Sequence, residues 1–209
     1  MTIMPSSRIE ASEVARHIAR VAARLFATQG YDATSVRTIV EAAGVTKPTL
    51  YYHFGSKEGL AQALLTEPMT GFAGRLRAIL EEAGDPVDAL VRTFETHFDF
   101  CREDPDRARF LYALIFGPLA AGLSDQMTTF RDSMCGLMDE SVRGLTEAGV
   151  VAAGRAEACS RFCRGLIVIA TMDFLYMGRE LGPELARRLV DDLLRGFADR
   201  EAPARENTA

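Results

Sequence analysis

The chain of 209 residues carries only three histidines and four cysteines. Its longest strongly apolar run, residues 166–172, is closed by Asp173, and a bilayer-spanning helix needs about 20 such residues. The first ten residues hold serine and charge with no apolar h-region, so no secretory leader is expected. Cys101, Cys135, Cys159 and Cys163 show no C-x-x-C spacing, which points to a reduced, cytoplasmic protein without membrane contact. Cys159 and Cys163 share a helix face, but their Cβ atoms would stand about 5–6 Å apart, beyond the roughly 3.5–4.5 Å of a disulfide. His97 and Cys101, four apart, are one weak metal pair, and a buried cysteine is the commoner explanation. There is no glycine-rich phosphate loop, no nucleophile elbow and no pair of Glu-x-x-His motifs. No catalytic residue, cofactor or metal is therefore expected. No segment alternates with period two between turn residues, so no strand is expected either, and there is no internal repeat.

What is present is helical periodicity almost throughout. Hydrophobic residues make up 48% of the chain, enough for a real core. Helices are predicted over about 11–28, two short segments between 34 and 54, 56–82 (disturbed near Pro68 and Gly71), 86–102, 105–116, 124–147, 155–178 and 183–199. Asp85-Pro86 and Asp104-Pro105 each pair a capping carboxylate with proline at the first helical position, and Ser124 is read as the cap of the helix that follows. The fold class is all-α, about nine helices. The net charge is −5, split unevenly: residues 1–65 carry seven Lys+Arg against five Asp+Glu, and residues 66–209 carry 17 against 24. The basic part suits phosphate and the acidic part faces away.

Residues 34–57 say the most about function. Val36, Ile39, Val40 and Ala43 mark the buried side of a short helix, with Thr34 or Ser35 as its cap. Gly44 can take the positive φ of a sharp turn. Thr46 caps a second helix with Pro48 in its first turn, and Leu50 and Phe54 face inward. The outward residues are polar hydrogen-bonding types. This is a helix-turn-helix whose second helix can lie in the major groove of DNA.

From about Val14 to Leu65 the sequence resembles the DNA-binding domain of the TetR family of transcriptional regulators. The likeness rests on Ala23-Arg24-Leu25-Phe26, Gly30-Tyr31-Asp32-Ala33-Thr34-Ser35, Ile39-Val40-Glu41-Ala42-Ala43-Gly44-Val45, and Thr49-Leu50-Tyr51-Tyr52-His53-Phe54 with Lys57 following. It covers roughly the first third of the chain; the rest matches only in length and helical character. The resemblance implies an N-terminal three-helix DNA-binding domain (10–65), a C-terminal helical effector-binding and dimerisation domain (66–200), and flexible ends at 1–9 and 201–209. On double-stranded DNA, Lys47, Pro48 and Tyr51 are expected nearest the bases, with Arg37 reaching in from the first motif helix. Thr34, Ser35, Thr46, Thr49, Tyr52, His53 and Lys57 are expected near phosphates or at the helix start that faces them. Tyr51 or Tyr52 as packing residues, Arg37 as an ion-pair partner and His53 as a structural residue remain open.

The helix over 155–178 is apolar in nearly every direction, so it must be covered on all sides. Phe162, Leu166 and Ile169, with Leu189, Leu193 and Phe197 on the last helix, are expected to meet their copies in a homodimer. Two recognition helices would then fit half-sites about 34–36 Å apart in an inverted repeat. The resemblance also implies a small-molecule pocket. Phe94, His97, Phe98, Cys101, Phe110, Met134, Met138, Asp173 and Phe174 form the candidate lining, suited to an apolar or aromatic effector, although an ordinary helical core would hold the same residues. Asp173, in an apolar setting, needs a polar partner. The expected function is a repressor released by such an effector. The alternatives are an activator or co-repressed regulator, a metal or redox sensor, and a helical enzyme without DNA binding.

Overall fold

The computed structural model describes residues 13–117 and 122–196, so the expected flexible ends and Phe197 lie outside the described residues. Among the described residues there are nine α-helices, a single turn of 3-10 helix at Ala153–Arg155, and no strand. The helices are α1 (Glu13–Gln29), α2 (Val36–Ala43), α3 (Lys47–Phe54), α4 (Lys57–Glu82), α5 (Pro86–Glu103), α6 (Pro105–Phe116), α7 (Ser124–Glu147), α8 (Ala156–Met177) and α9 (Leu185–Arg195). None of them is long and apolar enough to cross a membrane.

The first three helices form a small head. α1 buries Ala15, Ile18, Ala19, Ala22, Ala23 and Phe26 along one stripe, and the alanines let its neighbours approach closely. It packs on α2, α4 and α6. Behind the head, α5 lies at the centre of the body and touches α4, α6, α7, α8 and α9. Asp85 and Asp104 accept from the Val87 and Arg107 amides at the starts of α5 and α6, as the Asp-Pro pairs predict.

α4 joins head to body. It runs 26 residues without a break through Pro68, although proline removes one backbone hydrogen bond and crowds the carbonyl four residues back. Burial of Leu64, Leu65, Met69, Phe72 and Leu76 against neighbouring helices holds it together. The Thr66 and Thr70 hydroxyls donate to the Gln62 and Thr66 carbonyls on the same stretch, at 2.7 and 2.8 Å.

Two expectations need correction. Ser124 is the first residue of α7, not its cap; Leu123 holds the cap position and makes no side-chain bond, its side chain being buried instead. The last helix stops at Arg195 because Gly196 takes φ 76°, short of the expected 199.

Candidate nucleic-acid interface and the cavity behind it

The helix-turn-helix is built by local chemistry. The Ser35 hydroxyl accepts from the Thr38 amide at 3.1 Å and opens α2. Gly44 closes it at φ 64°, in the left-handed region, with its own N–H and that of Val45 returning to Glu41 and Val40. A residue with a Cβ would pay steric strain there. The Thr46 hydroxyl accepts from the Thr49 amide and pairs with the Thr49 hydroxyl at 2.9 Å. Leu50 is fully buried and anchors α3 to the head. His17 donates from Nε2 to the Ala43 carbonyl at 3.1 Å, tying α1 to the turn.

This leaves one face of α3 outward. Lys47, Pro48, Tyr51 and Tyr52 are exposed, while Thr49 and His53 are half-buried. The Tyr52 and His53 rings meet edge to face at 5.1 Å. Arg37, exposed on the first turn of α2, pairs with Glu41 at 2.7 Å; that carboxylate raises the guanidinium pKa further.

Two residues expected at phosphates are engaged elsewhere. Thr34 is fully buried, and its hydroxyl donates to the Gly30 carbonyl at 2.7 Å. Lys57 is half-buried. Its ammonium donates to the carbonyls of Tyr31 and Thr34 at 2.8 and 3.0 Å and lies 4.2 Å from the centre of the Tyr31 ring. Both side chains hold the turn between α1 and α2 against the start of α4. Sequence reasoning assigned them to DNA because an isolated threonine or lysine in such a motif gives no sign of which carbonyls fold back onto it. Burial raises the Tyr31 phenol pKa, with Glu58 and Asp32 adding to it.

The body contains an apolar cavity of about 390 Å³ between α4, α5, α6, α7 and α8, within the range of ligand sites, roughly 300–1,000 Å³. Four expected residues line it: His97, Cys101, Met134 and Met138. Phe94 and Phe98 instead pack edge to face on each other at 6.3 Å within the core. Phe110 faces the head, with its ring 4.9 Å from Phe26 and 6.2 Å from Tyr31. Phe174 is half-buried against the core and does not reach the cavity.

Asp173 also lies away from the cavity, and it is not buried. Its carboxylate is 3.6 Å from Arg179, and its carbonyl accepts the amides of Gly178 and Arg179 that end α8. The polar partner that the sequence demanded is thus a local arginine. Sequence reasoning missed Phe72, Phe100, Leu111, Ile115 and Phe130 as wall residues, together with three arginines, Arg131, Arg161 and Arg164. Phe72 sits on α4, a helix from which no lining candidate was drawn.

At the closed end, His97 donates from Nδ1 to the Thr93 carbonyl at 3.0 Å and stands edge-on to Phe72 at 4.6 Å. Burial pushes its pKa down to about 4. The Cys101 thiol donates weakly to the Thr171 hydroxyl, and burial pushes it up to about 11. Burial likewise raises the Tyr112 phenol. The thiols of Cys159 and Cys163 interact, which lowers the first and, with burial, raises the second. Among the described residues no group of three His, Cys, Asp or Glu could hold a metal ion.

On α8, Phe162 and Ile169 are each 64% exposed and Tyr176 55%. They fall on one stripe with half-buried Leu166, next to half-buried Leu189 and Leu193 on α9. The apolar wrap expected around this helix is therefore complete on the inner side only.

A helix-turn-helix head carried on an all-helical body with an apolar cavity defines a class of regulatory protein. Residues 18–64 match the family described as "Bacterial regulatory proteins, tetR family". The chain is 36% identical over 80 residues to the transcriptional repressor KstR2 of Mycolicibacterium smegmatis, covering 38% of this chain and 39% of that protein. It is 32% identical over 130 residues to KstR2 of Rhodococcus jostii, covering 59% and 62%. The matches thus span about two fifths to three fifths of these curated relatives. Among solved structures, the TetR family regulator PfmR of Thermus thermophilus superposes with a TM-score of 0.70 at 28% identity, over 87% of this chain and 99% of that one. The head thus matches the TetR family model over residues 18–64, and the chain as a whole shares its fold with a TetR family regulator.

Proposed function

We propose that this protein is a transcriptional repressor that binds an inverted-repeat operator as a homodimer and releases it when a small molecule fills the cavity. The outward face of α3 carries the reading. Lys47, Pro48, Tyr51 and Tyr52 stand exposed on a helix pinned behind by Leu50 and held at its entry by the Gly44 turn. Lys47 can donate to guanine O6 and N7, and Pro48 can pack on a thymine methyl. Arg37 joins them once its exposed pair with Glu41 opens; such pairs contribute little. Ser35, Thr46, Thr49, Tyr52 and His53 surround this face and serve the phosphates, as do the amides at the start of α2.

Exposed aromatic and aliphatic side chains on α8, beside Leu189 and Leu193, support the dimer: a row of this kind marks an association surface, and a two-fold axis pairs it with itself. The named repressor activity of the KstR2 relatives supports the sign of regulation. The effector must favour the released arrangement over the bound one, since equal affinity for both shifts nothing.

The test is retention of sheared genomic DNA by the purified full-length protein, followed by sequencing. Enriched fragments should share an inverted repeat. Lys47→Ala with Tyr51→Ala should abolish the enrichment and leave helix content unchanged. Absence of any retained fragment at low salt would end the reading, and an effector that tightens the complex would reverse its sign.

A further inference from the structure

The cavity is chemically two-ended. Its closed end is formed by buried Phe72, Phe100, Cys101, Leu111, Met138 and Ile167. The groups there that could ionise are held in their neutral forms: the His97 imidazole, the Cys101 thiol and the Tyr112 phenol. Its open end is formed by residues with solvent exposure, including Arg131 and Arg161. Half-buried Arg164 stands beside them. The described lining includes three arginines and no carboxylate.

The three arginines are not equally committed. Arg164 is built into the fold: it donates to Asp139 at 3.1 Å and to the Ser160 hydroxyl at 2.7 Å, bracing α7 against α8. Among the described residues, Arg161 pairs only along its own helix with Glu157, both side chains largely exposed. Among the same residues, Arg131 pairs only with its sequence neighbour Asp132, at 3.5 Å. Exposed pairs of this kind are weak, so two guanidinium groups can turn to an incoming anion at little cost. A neutral ligand would fill the apolar end but leave Arg131 and Arg161 to their weak exposed pairs with Asp132 and Glu157.

We infer that the ligand of this cavity is an amphipathic anion, an apolar chain or ring system in the closed end with a carboxylate, sulfate or phosphate head held at the rim by Arg131 and Arg161 beside Arg164. The inference rests on the proposed effector role of the cavity and narrows the class of effector. A guanidinium fork binds such heads through paired, charge-assisted hydrogen bonds. The apolar end contributes about fourfold in affinity per buried methylene until the 390 Å³ is filled.

The experiment is calorimetric titration of the full-length protein with decanoate and decyl sulfate against 1-decanol and decylamine, all below their aggregation limits. The same probes are added to the protein bound to its enriched DNA fragment. The anions should bind about ten- to hundredfold more tightly than the alcohol, the ratio expected for hydrogen bonds to a charged group, and the amine more weakly still. Arg131→Gln with Arg161→Gln should erase the preference for the anions and keep alcohol binding. Both positions are solvent-exposed, so the variant is expected to fold, and an unchanged melting transition checks this. Equal affinity for alcohol and anions overturns the inference, as does failure of all four probes to bind. Anions that bind as expected but leave the DNA complex intact support the inference and count against the repressor reading instead.

Discussion

Replacing Lys57 with methionine separates a structural clamp from a phosphate contact. The variant keeps the side-chain stem and removes the ammonium. Two hydrogen bonds from a charged donor are lost, to the Tyr31 and Thr34 carbonyls at 2.8 and 3.0 Å. Each is worth about 1.5–3 kcal/mol when buried, and the half-buried site favours the low end. Tyr31 keeps a second donor, the Thr34 amide at 3.2 Å, so its carbonyl is not orphaned. The ammonium over the Tyr31 ring adds about 0.5–1 kcal/mol. Desolvation of the ammonium offsets part of this, which leaves a destabilisation of about 2–3 kcal/mol. Urea unfolding at fixed protein concentration reads it directly. Operator binding measured across a salt series reads the other possibility, because each phosphate contact contributes about 0.9 to the slope of log K against log salt. The clamp predicts an unchanged slope. A stability loss under about 0.5 kcal/mol together with a flattened slope would refute it and return Lys57 to the DNA backbone.

Gly44→Ala should cost roughly 1–2 kcal/mol, since the added Cβ meets nothing within 4 Å and the penalty is purely that of φ 64°; urea unfolding that shows no loss would count against the turn geometry. His97 has its pKa depressed to about 4 in the folded protein. The unfolded chain therefore takes up the proton first, and stability falls as pH drops from about 6.5 toward 4. His97→Phe removes this linkage, so the stability gap between variant and parent should move in the variant's favour by about 2 kcal/mol from pH 7.5 to pH 5, and a gap independent of pH would contradict a buried neutral imidazole. Phe162→Glu with Ile169→Glu should convert the proposed dimer to monomer in light scattering and weaken operator binding; a dimer that persists would place the interface elsewhere.

The parts of the structure that sequence makes legible are those decided locally. Asp85-Pro86, Asp104-Pro105, Ser35, Thr46 and Gly44 each act within four residues, and each sits where its chemistry predicts. Pro68 shows the limit of such reasoning: the local penalty is real, but burial along α4 outweighs it. The cavity was half legible for the same reason. Aromatic and methionine residues on one helix face advertise burial, but which of them border empty space depends on neighbours far away in the chain. Phe110 and Phe94 carry the same pattern as His97 and Cys101, yet they fill the core. The rim arginines escaped notice because an exposed arginine on a helix is ordinary until a cavity opens beside it. Asp173 misled because the residues around it are apolar in sequence, whereas its partner Arg179 lies just past the end of the helix.

A helix that lines the cavity, α6, also touches the head, and this gives the proposed effector its leverage. α6 presents Leu111, Tyr112 and Ile115 to the cavity, while Phe110 packs into a cluster with Phe26 and Tyr31 of the head. Tyr31 in turn lies under the Lys57 ammonium at the start of α4. Interiors packed at crystal density pass a displacement on rather than absorb it, so a ligand that pushes α6 outward must reshape this three-ring contact. A hundredfold loss of operator affinity requires a coupling of about 2.7 kcal/mol. Aromatic pairs contribute about 0.5–1.5 kcal/mol each, so disturbing two or three of them is of the right size, with no need for a rearrangement of the whole body. The same arithmetic limits the response. On the proposed reading, most of the ligand's binding energy would come from its apolar chain in the closed end, and any part shared equally by both arrangements would contribute affinity without switching. On this reading, the fraction realised as α6 moves away from Phe26 and Tyr31 is what would open the grip on DNA.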